Sequence, residues 1–174
     1  PTKETTGLNF ILHAPFLLTD SREGIRAGVQ HNHDMISLLA TLAADSLVYL
    51  KEIGLAKKTR LINDQIFDIV PYDGTLFTDV GNKNRISFKP FYTAIKEAFS
   101  TKVILPSADG YVAAGDAYWA FVPQIAELFS DEQLSVIVRN ESAKWVFTSF
   151  GRQETRRSNE VLAGYTDSIT KAWL

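Results

Sequence analysis

The sequence predicts an α+β fold: a mixed sheet with packed helices, and one long buried helix after the first strand. Three observations carry this. An apolar run from Leu8 to Leu18 ends at the polar punctuation Asp20-Ser21 and Gly24, which reads as a strand entering a turn. From His33 to Ile53 the apolar residues recur at helical spacing. Farther on, Val103-Ile104-Leu105 reads as a strand, and Asp109-Gly110 before Tyr111-Val112 is a hairpin signal.

In the long helix Met35, Ile36, Leu39, Leu42, Ala43, Leu47, Leu50 and Ile53 cover most of the circumference, leaving a narrow polar stripe of Ser37, Thr41, Asp45 and Glu52. Such a helix is expected to be largely buried against the sheet of the Leu8 to Leu18 strand. Gly54 is placed to stop it, and Ala56 to Arg60 forms a basic connector. A short helix follows from Asp64 to Val70, with Ile62, Ile66, Phe67, Ile69 and Val70 on one face and Pro71 at its end. The stretch Tyr72 to Ser87, rich in Asp, Gly and Asn, predicts a loop. It also marks a boundary between two lobes, 1–71 and 72–174, unless the chain is one domain. Pro90 suits the first turn of the next helix, where Phe88, Phe91, Ile95 and Phe99 make an apolar stripe opposite Thr93, Lys96 and Glu97. Ser130-Asp131-Glu132-Gln133 has the spacing of a capping box and opens another short helix, after which Lys144 to Phe147 is a strand candidate. A last helix, Asn159 to Trp173, places Leu162, Tyr165, Ile169 and Trp173 on one side. There is no internal repeat and no low-complexity tract.

Composition narrows the function classes. With 174 residues, 45% of them apolar, the chain can bury a substantial core. A formal charge of -2 and a pI near 5.9 give no reason to expect a nucleic-acid or acidic-membrane partner. The absence of cysteine excludes disulfides, thiol catalysis and zinc-thiolate sites, and it fits a reducing, cytoplasmic compartment. No apolar run approaches the roughly 20 residues that span a bilayer, and no signal peptide is visible. Because the chain starts at Pro1 and its last predicted helix runs on to Leu174, a segment of a longer protein is expected.

The turn after the first predicted strand is the leading candidate site. Arg22 sits at a strand end, where ligand-touching residues often lie. The residues Leu17, Leu18, Ser21-Arg22-Glu23 and Ile25, then Asn32 and the helix beginning near His33, resemble the middle region of the ninety-kilodalton heat-shock chaperones. A second stretch, Leu105-Pro106, Gly110-Tyr111-Val112 and Ala117-Tyr118-Trp119, is similar to the repeat regions of sacsin and of bacterial proteins with a related ATPase module of the GHKL superfamily. The first likeness covers Leu8 to Gly54 and the second Lys102 to Phe121. Thr19-Asp20 stands where the chaperones carry Leu-Asn, and Gly24 where a bulkier residue is common. In that family the arginine of the turn reaches into the neighbouring ATPase domain and contacts the terminal phosphate of ATP. The resemblance implies that role for Arg22, with Ser21 and Glu23 in support. It implies a non-catalytic coupling segment, with ATP and Mg²⁺ held by the upstream ATPase domain of the same chain, and flanking domains or a client protein as partners. No cofactor or metal is expected in this segment itself.

The motif search is consistent with a pocket elsewhere. No Gly-rich turn closing on Lys and Ser or Thr is present to cradle phosphates, and there is no dinucleotide-binding fingerprint. The Asn-box, Asp-x-Gly-x-Gly and glycine-lid elements of the heat-shock-type ATPases are missing as well. Asp79-Val80-Gly81 resembles only a fragment of the second and reads as a turn. The competing reading for Arg22 is a surface ion pair with Asp20 or Glu23. His31 and His33 have a spacing that chelates metal on a strand but diverges on a helix, with no carboxylate to complete a site. Asp64 and Asp68 share a helix face and read as a solvated acidic surface. Arg152, Arg156 and Arg157, with Lys144 and Lys171, form a basic cluster that Glu154 and Glu160 interrupt, which favours salt bridging over phosphate or RNA binding. Tyr118-Trp119-Ala120-Phe121 reads as core, and Trp119, Trp145 and Trp173 suit partly buried edges. The alternative to coupling is a protein-interaction or scaffolding module with no nucleotide role. An independent hydrolase lacks a nucleophile, base and orienting group in any motif.

Overall fold

A computed structural model of the chain describes residues 2–63, 66–71, 73–79, 85–118, 120 and 123–146. The chain is α+β. Its helices are α1 (Gln30–Ala56), α2 (Ile66–Ile69), α3 (Lys89–Thr101), α4 (Pro123–Leu128) and α5 (Asp131–Val138). The strands are β1 (Leu105–Ser107), β2 (Gly110–Val112), β3 (Ala117–Tyr118) and β4 (Lys144–Trp145). β1 and β2 form the antiparallel hairpin that Asp109-Gly110 predicts, with Leu105 opposite Val112. β3 and β4 pair in parallel, and the bridge between Ser107 and Val146 links the two pairs into a mixed arrangement.

The Leu8 to Leu18 run is not a strand. It is irregular chain, bent at Asn9 and Phe10, whose one ladder contact among the described residues is the bridge between Leu18 and Ile25. Leu8, Phe10, Leu12, Phe16 and Leu18 turn inward onto a cluster of Ile25, Ile36, Phe77 and Phe91, while Ile11 points out and is 96% exposed. Alternation along a chain reports which side is covered. It carries no information on whether the backbone finds a hydrogen-bonding neighbour.

The long helix also departs from its expected burial. α1 lies against α3 and presents Ile36, Ala40, Ala44 and Leu47 to the interior. Leu38, Leu42 and Tyr49, at the opposite side, are 66%, 61% and 63% exposed. Among the described residues the helix is covered on one side, a narrower burial than its continuous apolar pattern predicts. Gly54 lies within the last turn rather than beyond it. A Cβ there would come within 2.7 Å of the Thr59 carbonyl, so the glycine lets the returning chain approach, and the left-handed residue that ends the helix is Lys58.

The remaining expectations divide cleanly. Phe88, Phe91, Ile95 and Phe99 of the α3 region are buried, and Pro90 occupies its first turn. Ser130 and Gln133 form the reciprocal capping box that opens α5. Ala44 and Leu47 of α1 pack with Ile62, Val70, Ile95, Phe99, Ile104 and Val112, so residues on both sides of position 72 share one apolar cluster. A third cluster joins Tyr118, Leu134, Ala143 and Trp145, with the Trp145 indole N–H donating to the Phe129 carbonyl at 2.8 Å. The predicted helix from Asn159 to Trp173, the arginines Arg152, Arg156 and Arg157, and Asp64, Trp119, Phe121 and Phe147 lie outside the described residues.

Candidate functional site

The chain reverses between Leu17 and Arg26, and the reversal is held from four sides. Across its base the Thr19 N–H donates to the Gly24 carbonyl at 2.9 Å and the Arg26 N–H to the Leu17 carbonyl at 3.0 Å. At its tip the Arg22 N–H donates to the Thr19 carbonyl at 2.8 Å. The Gly24 N–H meets the Thr19 hydroxyl at 3.2 Å, while the Ile25 N–H donates to Glu4 Oε2 at 3.1 Å. Gly24 has a reason of its own, since a Cβ there would lie 3.2 Å from that carboxylate.

The strongest brace comes from α1. Asn32 is completely buried in the first turn of the helix. Its amide accepts from the Leu17 N–H at 2.8 Å and donates to the carbonyls of Leu17 and Arg26, each at 2.8 Å. One side chain thereby ties both arms of the turn to the long helix and satisfies three buried backbone groups. Nearby, ring nitrogens of His31 and His33 face the carbonyls of Pro15 and Ala27. Both imidazoles are therefore committed to backbone, and among the described residues no cluster of metal-ligating side chains forms.

Arg22 stands at the tip. Its φ is 57°, in the left-handed region, and its side chain is exposed. A non-glycine residue in that conformation costs about 1–2 kcal/mol, and glycine is the usual occupant of such a turn position. The two carboxylates that could neutralise it are engaged elsewhere: Asp20 binds Arg26 at 2.6 Å and Glu23 binds Lys3 at 2.5 Å. Among the described residues Arg22 has no ion pair. Ser21, in contact with the Thr19 hydroxyl at 3.2 Å and the Glu23 N–H at 3.5 Å, belongs to the turn's internal bracing.

The other sequence candidates are structural or lie apart. Leu105, Pro106 and Val112 are buried in the hairpin, and the Tyr111 hydroxyl donates to the Ile62 carbonyl at 3.0 Å. Asp79 pairs with Lys89 at 2.6 Å, and that ammonium holds its carboxyl below the usual carboxylate range. A cleft of about 350 Å³ beside α5 is lined by Asp109, Glu127, Asp131, Glu132 and Trp145. Its carboxylates disfavour a phosphate ligand, and Asp131 already accepts the Trp145 backbone N–H at 3.0 Å.

Glu4, Lys3 and Arg26 were not legible as parts of the site, and Asn32 was legible only as a residue of the chaperone-like pattern, without its bracing role. The available signal was Asn32 itself, a lone amide one turn before Ile36 on the face that the helix buries. An amide at a core position needs partners, and here the partners are the arms of the turn. No family model, curated protein or solved structure matches the chain.

Proposed function

We propose that the turn from Leu17 to Arg26 presents Arg22 to an anionic group held by a neighbouring domain, the terminal phosphate of a nucleotide in an upstream ATPase domain of the same chain. One observation carries the reading. Arg22 keeps a left-handed backbone and, among the described residues, a guanidinium with no ion pair, while both adjacent carboxylates are occupied by other cations. Lys58 and Arg139 share that backbone at helix ends, whereas Arg22 adopts it at the tip of a turn, where glycine would be the more stable choice, and this supports a role for its side chain. A planar guanidinium takes phosphate oxygens bidentately, and it stabilises the charge that develops as the phosphoryl group transfers. The resemblance to chaperone middle segments at Ser21-Arg22-Glu23 supports the choice of ATP over other anions, a coupling role in a cytoplasmic ATPase, and Mg²⁺ held with the nucleotide outside this segment.

The test has two arms. The 174-residue chain should show no ATP affinity by calorimetry, since a lone exposed arginine offers only a weak, salt-screened contact. In the parent protein carrying the ATPase domain, Arg22→Ala should lower turnover on the order of a thousandfold with a much smaller loss of nucleotide affinity. Lysine should restore only part of the rate, because it keeps the charge without the planar fork. Unchanged turnover in Arg22→Ala would overturn the coupling role.

A further inference from the structure

The outward side of α1 carries two parallel rows that no other described residue covers. Leu38, Leu42 and Tyr49 follow one another at spacings of four and seven residues and are 66%, 61% and 63% exposed. At these spacings they stack on one line of the helix, opposite the buried Ile36, Ala40 and Leu47. Alongside them run Asp34, Asp45 and Glu52, all exposed. Among the described residues none of these three carboxylates has a cationic partner, and Asp34 accepts only a neutral amide hydrogen from Gln30 at 2.8 Å. Scattered exposed leucines need no explanation, but an aligned apolar row beside an unneutralised acidic row defines a surface with a direction and a sign.

We infer that this face docks a basic amphipathic helix of another protein or domain. The apolar row fits leucines or aromatics repeating every three to four residues on the partner, packed ridge into groove. The acidic row selects a partner whose flank carries lysine or arginine, and it rejects an acidic helix by like-charge repulsion. A second copy of α1 is disfavoured for the same reason, since two such faces would set their carboxylates against each other. The surface shares no residue with the turn that carries Arg22, which α1 braces through Asn32.

The test uses the full chain and a fluorescein-labelled helical peptide of about four turns, with a leucine stripe flanked by arginines, and an otherwise identical peptide flanked by glutamates. Fluorescence anisotropy should show saturable binding of the arginine peptide that weakens as salt shortens the screening length, and no binding of the glutamate peptide. Leu38→Ser with Leu42→Ser, and separately Asp45→Lys with Glu52→Lys, should each weaken binding by about tenfold or more. Because all four positions are exposed, the melting temperature should stay near that of the parent chain. Arg22→Ala should bind the peptide unchanged, so failure here and failure of the coupling role are separable. Equal binding of the two peptides, or no loss in either double variant, would overturn the proposal. So would sedimentation showing a dimer that the leucine substitutions dissociate, because the face would then be a contact between copies.

Discussion

The reversal around Arg22 and the cluster around Phe99 are held by opposite means. The Phe99 region is fixed chiefly by apolar contact: Phe99, Ile104, Leu105 and Ile62 are fully buried, and α1, α3 and the hairpin meet there. The reversal contributes Ile25 and Leu18 to an apolar cluster, yet its shape is set by polar groups, chiefly Asn32, Glu4 and Thr19, bonding to backbone. Apolar packing is non-directional and distributed over many atoms, whereas hydrogen bonds are directional and few. The first region should therefore set global stability. The second should set the aim of one side chain, and should open without unfolding the rest.

The largest effect is expected from Phe99→Ala. Removing a completely buried phenyl ring from the main cluster should cost about 3–5 kcal/mol in denaturant unfolding. A loss under about 1 kcal/mol would show that this cluster does not govern the fold and would erase the contrast. An intermediate effect is expected from Asn32→Ala, which strands the Leu17 N–H and the Arg26 carbonyl, and leaves the Leu17 carbonyl with only the Arg26 N–H, at a cost of about 1–3 kcal/mol. Its distinguishing mark is local. Hydrogen exchange should accelerate at the amides of Leu17, Thr19 and Ile25 far more than in α3, and uniform acceleration would mean that the turn and the core open together.

The smallest effect should have the opposite sign. Arg22→Gly relieves the left-handed backbone at φ 57° without breaking an ion pair, so thermal melts should show stability unchanged or raised by up to about 1 kcal/mol. A clear destabilisation would mean that the guanidinium holds the turn rather than projecting from it. Taken with a loss of turnover in the parent protein, an unchanged or higher melting point would place Arg22 among residues kept at some expense of stability.

Much of the local structure was legible because local rules decide it. The capping box at Ser130, proline in the first turn of α3, the Asp109-Gly110 hairpin and the stripe of Phe91, Ile95 and Phe99 each depend on neighbours within a few residues. The turn at Asp20-Ser21 and the exposed arginine beside it were legible for the same reason. Two expectations that depended on what lay opposite did not hold. Leu8 to Leu18 has the period of a strand, but strand identity requires a partner edge that this fold does not supply. α1 is apolar nearly all round, but among the described residues α3, the hairpin and the Leu8 to Leu18 segment cover one side of it, and Leu38, Leu42 and Tyr49 stay outside. By itself the sequence determined the α+β class, the starts of α3 and α5, and the turn that carries Arg22. Only the tertiary structure decided that Asp20 and Glu23 would turn to Arg26 and Lys3, and that Asn32 would clasp the turn. Those choices join residues between six and twenty positions apart, and at that range proximity is set by how the whole chain packs rather than by any local preference.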